Sequence, residues 1–256
     1  MNLCFATHLA DNYTSQPQKI RVLTENWVES QVYCPNCGHI DIDKYCNNKP
    51  VADFFCSNCE EDYELKSKKG YSGTKIVDGA YRTMIQRLQE RHTPNLFLLN
   101  YDMDTFQVMN FLVIPKHFFV PGIIEKRPPL SQTAVRAGWV GCNILLQNIP
   151  QSGKIFLVKN KNIELKEKVL EEWKKTLFLR EKKEINAKGW LLDVMMCIEK
   201  LGHKDFSLDE IYEFEDALSN KHPDNRHVKD KIRQQLQFLR NKGYLEFVER
   251  GHYRLI

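Results

Sequence analysis

The sequence predicts a mixed α/β (α+β) fold in two parts, and three observations carry that prediction. Apolar, β-rich runs at Asn95–Tyr101, Phe106–Ile114 and Lys154–Val158 sit between segments of helical periodicity, the mixture expected of helices packed on a sheet. A charged stretch, Arg180-Glu181-Lys182-Lys183-Glu184-Ile185-Asn186, then interrupts the pattern as a linker would. After it come three helical stretches and two short β-like runs, a separate small module. The boundary falls at 183/184, giving domains 1–183 and 184–256.

Each element has its own signal. Residues 19–30 place Ile20, Leu23 and Trp27 on one helical face. A polar, cysteine-rich stretch follows from Tyr33 to Asn48. Pro50–Phe55 and Tyr63–Ser67 read as short strands. Residues 75–91 carry Ile76, Ala80, Met84 and Leu88 at helical spacing, and 164–178 read as a further helix. In the C-terminal part the helices are Trp190–Leu201, Leu208–Leu218 and Arg226–Lys242. The runs Tyr244–Val248 and Tyr253–Ile256, on either side of Glu249-Arg250-Gly251-His252, close a hairpin. Three helices and a hairpin are the winged-helix plan. There are no internal repeats and no low-complexity tract.

Composition bounds the function. With 256 residues, 42% hydrophobic and 27% charged, the chain is an ordinary globular protein. A unit of this size buries roughly 70–75% of its extended-chain surface and needs no disulfide staples. No secretory pattern and no run of about 18 apolar residues appears, so a cytoplasmic protein without a membrane partner is expected. Its cysteines should be reduced, and pairs of them read first as metal ligands. The net charge of +4 permits a nucleic-acid partner without demanding one.

Cys34 and Cys37 are separated by two residues, Cys56 and Cys59 likewise, with eighteen residues between the pairs. Two intervening residues let both thiolates of a pair reach one tetrahedral ion, and four thiolates close its shell, so a structural Zn²⁺ is expected. A disulfide pair or buried free thiols are the competing readings. Cys4, Cys46, Cys142 and Cys197 lack such spacing and read as plain thiols.

The second pair falls between the two short strands. If these form a hairpin with the knuckle at its turn, Asp53 and Glu64 lie nearly opposite, and alternation puts Glu64 and Lys66 on one face. Two carboxylates and a lysine suit a hard cation such as Mg²⁺, which would acidify a bound water and stabilise charge on a phosphate being cleaved. On an exposed face the same residues would be a surface ion pair. Asp53, however, is flanked by Val51, Ala52, Phe54 and Phe55, an apolar setting for an unpaired carboxylate, and Lys68 and Lys69 follow as phosphate contacts would.

Pro50-Val51-Ala52-Asp53 followed by Glu64-Leu65-Lys66 resembles the catalytic motif of the PD-(D/E)xK nuclease superfamily, with two residues between the proline and the aspartate. The wider context resembles the DpnI-type methyl-directed restriction endonucleases. It is carried by Tyr33-Cys34-Pro35-Asn36-Cys37-Gly38, Glu64 to Gly70, Asp78-Gly79-Ala80-Tyr81, Arg136-Ala137-Gly138-Trp139, Gly141-Cys142-Asn143-Ile144 and Ile232-Arg233-Gln234-Gln235-Leu236, through nearly the entire chain. The resemblance implies a restriction-endonuclease-like core with an embedded Cys4 zinc site, followed by a winged helix. It implies a type II, Mg²⁺-dependent endonuclease cutting double-stranded DNA at G-A-T-C sites only when the adenine is N6-methylated. By motif, Asp53, Glu64 and Lys66 become catalytic residues and the Leu65 carbonyl a further magnesium ligand. Glu25 on the first helix is either an accessory acid or, lying off the apolar face, a solvated glutamate.

In the last helix Val228, Ile232, Leu236 and Leu239 form a core face, while Arg226, Arg233, Gln234, Gln237 and Arg240 point outward. Arg reads guanine and Gln reads adenine in the major groove, each worth about 1–3 kcal/mol of discrimination. Gln235, on the apolar side, reads as a satisfied buried group. Arg250, His252 and Arg254 on the hairpin would touch phosphate or the minor groove. A methyl group in the major groove is apolar, and Trp139, in a loop with Arg136, is a candidate wall for it, although a large aromatic is also ordinary core. Two other functions remain open: a zinc-containing winged-helix transcription regulator without catalysis, and a nuclease that repairs rather than restricts. Both a monomer cutting one strand at a time and two chains meeting on a palindrome are compatible with the sequence.

Overall fold

The computed structural model describes residues 1–46, 52–90, 93–182 and 184–256. Pro50 and Val51 of the predicted first strand, Asn47 and Asn48, Arg91 and Lys183 lie outside the described residues. Helix α1 (Gln16–Gln31) carries Pro17 in its first turn, where a missing N–H is no loss, and buries Leu23, Trp27 and Val28. Strands β1 (Asp43–Lys44), β2 (Phe54–Phe55) and β3 (Asp62–Lys69) follow. Next come β4 (Lys75–Ala80), α2 (Tyr81–Glu90), β5 (Asn95–Asp102), β6 (Gln107–Ile114), β7 (Ile124–Lys126), β8 (Gly141–Leu145), β9 (Ile155–Lys159), β10 (Asn162–Ile163) and α3 (Lys166–Thr176). One sheet runs β1-β2-β3-β5-β6-β9-β10 and a smaller one β4-β8-β7. In the larger sheet β3 pairs with β5 in parallel, and the other pairings are antiparallel.

The central strands explain their own sequence. Along β5, Leu96 and Leu98 enter one core while Phe97 and Leu99 enter the other; β6 divides Leu112 and Ile114 from Phe111 and Val113 in the same way. With both faces covered, these strands are near-continuous apolar runs. One core lies under α1 and α3, where the Trp27 ring meets Phe111 edge-on at 5.2 Å.

The other core has no break at the predicted boundary. It runs from Leu96 and Ile114 through Phe118 and Ile123 into Trp190, Leu191, Met195, Ile232 and Leu239. Those last residues belong to the C-terminal module: α4 (Ile185–Leu201), β11 (Asp205–Ser207), α5 (Leu208–Tyr212), α6 (Glu215–Lys221), α7 (Val228–Asn241), β12 (Leu245–Glu249) and β13 (His252–Leu255), with strand order β11-β13-β12.

Several expectations need correction. The first six residues of the predicted 75–91 helix are strand β4, where Ile76, Asp78 and Ala80 face inward and Lys75, Val77 and Gly79 face out. The predicted Leu208–Leu218 helix is two helices. A capping box of Ser207 and Glu210 starts α5, and the chain turns at Phe214 before α6. The last helix begins at Val228, so Arg226 lies in the turn before it. The segment read as a linker is not a free tether. Leu177–Glu181 is a 3₁₀ turn with Leu179 fully buried, and α4 begins at Ile185. Strands β7, β8 and β11 were not anticipated at all.

Candidate active site and metal centre

The turn between β2 and β3 is the second cysteine pair, and it folds back on the first. The Cys34 and Cys59 sulfurs are 3.6 Å apart, as are those of Cys37 and Cys56, and all four lie within 4.8 Å of one another. A tetrahedral ion with Zn–S bonds near 2.3 Å requires sulfurs roughly 3.8 Å apart. The donor set therefore fits a zinc ion and fills its shell. The Tyr63 hydroxyl lies 3.2 Å from the Cys34 sulfur, and the Asn58 amide donates to Cys37 at 3.4 Å. Burial drives the Cys34 thiol upward. At Cys37 burial acts the same way, but the Asn58 amide and the His39 backbone outweigh it and bring the thiol down to about 7. Among the remaining cysteines Cys4 and Cys46 are exposed and Cys142 and Cys197 buried, none near this cluster.

The same hairpin presents the acidic residues. Phe54 pairs with Tyr63 and Phe55 with Asp62, and Asp53, directly before the paired stretch, also bonds to Tyr63, so it is not set squarely opposite Glu64 as the simple hairpin register predicts. Asp53 is held there from both ends: its N–H donates to the Tyr63 carbonyl at 2.9 Å, and its Oδ2 accepts the Leu65 N–H at 2.7 Å. Tyr63 points into the core with its ring stacked on Phe97, so alternation turns Glu64 and Lys66 to the other face. There the Lys66 Nζ lies 2.6 Å from Glu64 Oε1 and 2.8 Å from Asp78 Oδ1. Asp78 arrives from β4 in the smaller sheet, and the sequence reading gave it no role.

The electrostatics follow from this geometry. Burial raises the Asp53 carboxyl above its ordinary range; the Leu65 N–H opposes the rise and the nearby Glu25 charge assists it. Burial also raises Glu64, against the pull of Lys66 and with help from Asp78. At Lys66 burial works against the charge, but Glu64 and Asp78 outweigh it and hold the ammonium well above the lysine range. Glu64 and Asp78 share one ammonium, and Asp53 is near enough to feel its charge, so the carboxylates outnumber the lysine. This hard-oxygen donor set fits magnesium.

Glu25 is not the solvated glutamate that its helical face suggested. It is 7% exposed and paired with Arg21 at 2.6 Å and with Lys44 of β1 at 2.8 Å. The helical wheel missed this because β1 covers it from outside the helix. A second buried cluster also escaped the sequence. Glu61, directly before β3, takes the Asn95 amide at 2.8 Å, Lys116 at 3.0 Å and Arg180 at 2.9 Å. His117 and Thr176 continue that network at 2.8 Å.

The expected DNA-contact residues are on the surface in three places. Lys68 and Lys69 are exposed at the end of β3. The β7–β8 loop carries Arg136 over the ring of Trp139 at 5.0 Å, and that half-buried ring packs on Gly141. On α7, Arg233, Gln234, Gln237 and Arg240 are exposed opposite the buried Val228, Ile232, Leu236 and Leu239, and Arg250 is exposed at the wing. Gln235 is buried and its Oε1 has no partner among the described residues, so it is not fully satisfied as expected. Arg254 is paired with Asp205 at 2.6 Å.

These modules, a helix-turn-helix beside an α+β core with a thiol cluster and an acidic cluster, define a DNA-cleaving restriction enzyme once the sequence is compared with known families. Residues 1–182 match the model of DpnI, the Dam-replacing family, and residues 186–255 match the Dam-replacing HTH domain. The chain belongs to the DpnI, or Dam-replacing, family of methyl-directed restriction endonucleases with a C-terminal winged helix. Among the described residues no helix is long and apolar enough to cross a membrane.

Proposed function

We propose that the protein cleaves double-stranded DNA at G-A-T-C sites bearing N6-methyladenine, by magnesium-dependent hydrolysis of the phosphodiester. The observation that supports this reading is Lys66 paired with Glu64 beside a buried Asp53 that bonds to the Leu65 N–H, in a member of this family. Asp53, Glu64 and the Leu65 carbonyl would hold the magnesium ion, and residues 1–183 form the nuclease domain. When bound, the ion would acidify a water and offset charge on the phosphate. Lys66 would hold the attacking water or the developing negative charge, and the Leu65 N–H keeps Asp53 turned into the site.

Residues 184–256 are the DNA-reading winged helix. Arg233, Gln234, Gln237 and Arg240 meet base edges, with Arg226 and Arg250 alongside. Lys68, Lys69 and Arg136 take phosphates, and Trp139 walls the methyl group. The zinc ion has no share in the chemistry: four thiolates leave it no open position. A regulator without catalysis has no use for a half-buried lysine clasped by two carboxylates.

The test is incubation of the purified protein and Mg²⁺ with plasmid methylated or unmethylated at adenine in G-A-T-C. Cutting of the methylated plasmid alone, at those sites, is expected. Equal cutting of both would sink the methyl requirement, and no cutting of either with several divalent ions would sink the enzyme.

A further inference from the structure

Lys66 has one positive charge and two carboxylate partners, and the partners differ in what else they are asked to do. Glu64 shares its strand and, on the reading above, is needed by magnesium. Asp78 belongs to another sheet. Its strand shifts register at Gly79, between Asp78 and Ala80 against β8, and such bulges aim a side chain. The Asp78 Oδ1 that meets Lys66 also accepts the Gly79 N–H at 2.7 Å, so the carboxylate is pinned to its own backbone. Its side chain is only 6% exposed, between the inward-facing Ile76 and Ala80. A carboxylate so buried needs a charged partner, and Lys66 supplies it.

We propose that Asp78 is a positioning residue: it anchors the Lys66 ammonium from the second sheet, so that Lys66 keeps its place when Glu64 turns to the metal. A carboxylate oxygen cannot serve an ammonium at 2.6 Å and a magnesium ion at about 2.1 Å with the same lone pair. Metal binding through Glu64 Oε1 would loosen one of the two bonds that fix Lys66, and Asp78 retains the other. The inference rests on Lys66 acting in cleavage, and the experiment separates the two ideas.

Single-turnover cleavage of methylated duplex is measured for the full chain, Asp78→Asn, Asp78→Glu, Lys66→Ala and the Asp78→Asn/Lys66→Ala double variant, each across a magnesium series. Asp78→Asn is expected to slow cleavage by about 10²-fold or more, comparable to losing one aimed electrostatic group. DNA affinity without magnesium and the half-saturating magnesium concentration should change less than about threefold, within the scatter of independent sites. Asp78→Glu should recover part of the rate, and the double variant should be no slower than Lys66→Ala, because residues that act as a unit are not additive.

A second readout needs neither cleavage nor metal, and it serves even where Lys66→Ala is too slow to measure. The Lys66 ammonium should give a resolved ¹H–¹⁵N signal in the metal-free protein, and Asp78→Asn should broaden it away. If Asp78→Asn does not fold, Asp78→Glu is read by the same signal and the same cycle. Losses that multiply in the double variant, an unchanged signal, or a rate restored by tenfold more magnesium would overturn the proposal; the last would make Asp78 a metal ligand. Full activity of Lys66→Ala would sink the underlying assignment. Inactive Lys66→Ala beside a fully active Asp78→Asn would sink this inference alone.

Discussion

The β2–β3 hairpin ends in a cluster of thiols and carries, farther along, a cluster of carboxylates around one lysine. The thiols fit a zinc ion and the carboxylates are proposed to take magnesium, yet the two are built from opposite materials. The thiols come from two short turns, sit within 4.8 Å of one another and leave a tetrahedral ion no vacant position. The carboxylates come from three segments on two sheets, carry more negative charge than Lys66 offsets, and are hard donors suited to an ion that keeps its waters. On the proposed reading the contrast separates a fastener from a working site: soft ligands locally arranged lock a turn, and hard ligands gathered from afar suit an ion that keeps its waters.

The comparison breaks first at Cys56. Replacing it with serine should lose zinc and misfold the turn that brings Asp53 against β3. Structural zinc sites contribute on the order of 10 kcal/mol in small domains, so a large drop in melting temperature and loss of cleavage are expected together. Metal analysis, a thermal melt and a cleavage assay on one preparation check this; full cutting by zinc-free protein would show that the turn holds unaided. Asp53→Asn should do the reverse. Cleavage falls by about 10³-fold or more, as on losing a ligand to a catalytic metal, while zinc content and melting temperature stay as in the parent. Zinc loss in this variant would mean that the two clusters are one unit.

Glu61 lies between them, bonded to Asn95, Lys116 and Arg180. Its replacement by alanine leaves two partly exposed cations without their carboxylate and should destabilise by about 2 kcal/mol, read by urea unfolding. The smallest effect is one of sign. Burial, then Arg180 and other cations, keep His117 well below the usual histidine range, so the unfolded chain binds its proton more readily. Its contribution to stability is present above about pH 6.5 and is lost at about 1.4 kcal/mol per unit below. Asp53 and Glu64, raised by burial, act oppositely: the fold holds their protons more tightly, and acid relieves them. Unfolding at pH 7.5 and 5.5, with His117→Gln as comparison, should show less acid destabilisation in the variant.

The two clusters also differed in legibility. The thiols were readable because all the necessary information lies in two local spacings. Asp53, Glu64 and Lys66 were readable as a group because strand alternation puts Glu64 and Lys66 on one face and the hairpin brings Asp53 to the Leu65 N–H. Asp78 was not, because Ile76, Ala80, Met84 and Leu88 recur every four residues across a strand–helix junction and imitate one helix. The competing two-residue period, Ile76, Asp78 and Ala80 inward, was present but ended after six residues. Glu25 and Arg180 were misjudged for a related reason: each faces solvent when only its own segment is considered, and each is claimed by a residue distant in the chain. The winged-helix core face on α7 was legible since fourteen residues of clean periodicity suffice.

Arg180 stands at the end of the nuclease part, in the 3₁₀ turn before α4, and it grips Glu61 beside the knuckle. Beyond it the core passes without interruption into Trp190 and Leu191. Reading head and blade are thus mounted on one block, not strung on a cord. On the proposed reading, the distance from a base met by α7 to a bond cut at Asp53 is then a dimension of the casting, and lengthening the chain near residue 183 is expected to crack the block sooner than shift the cut.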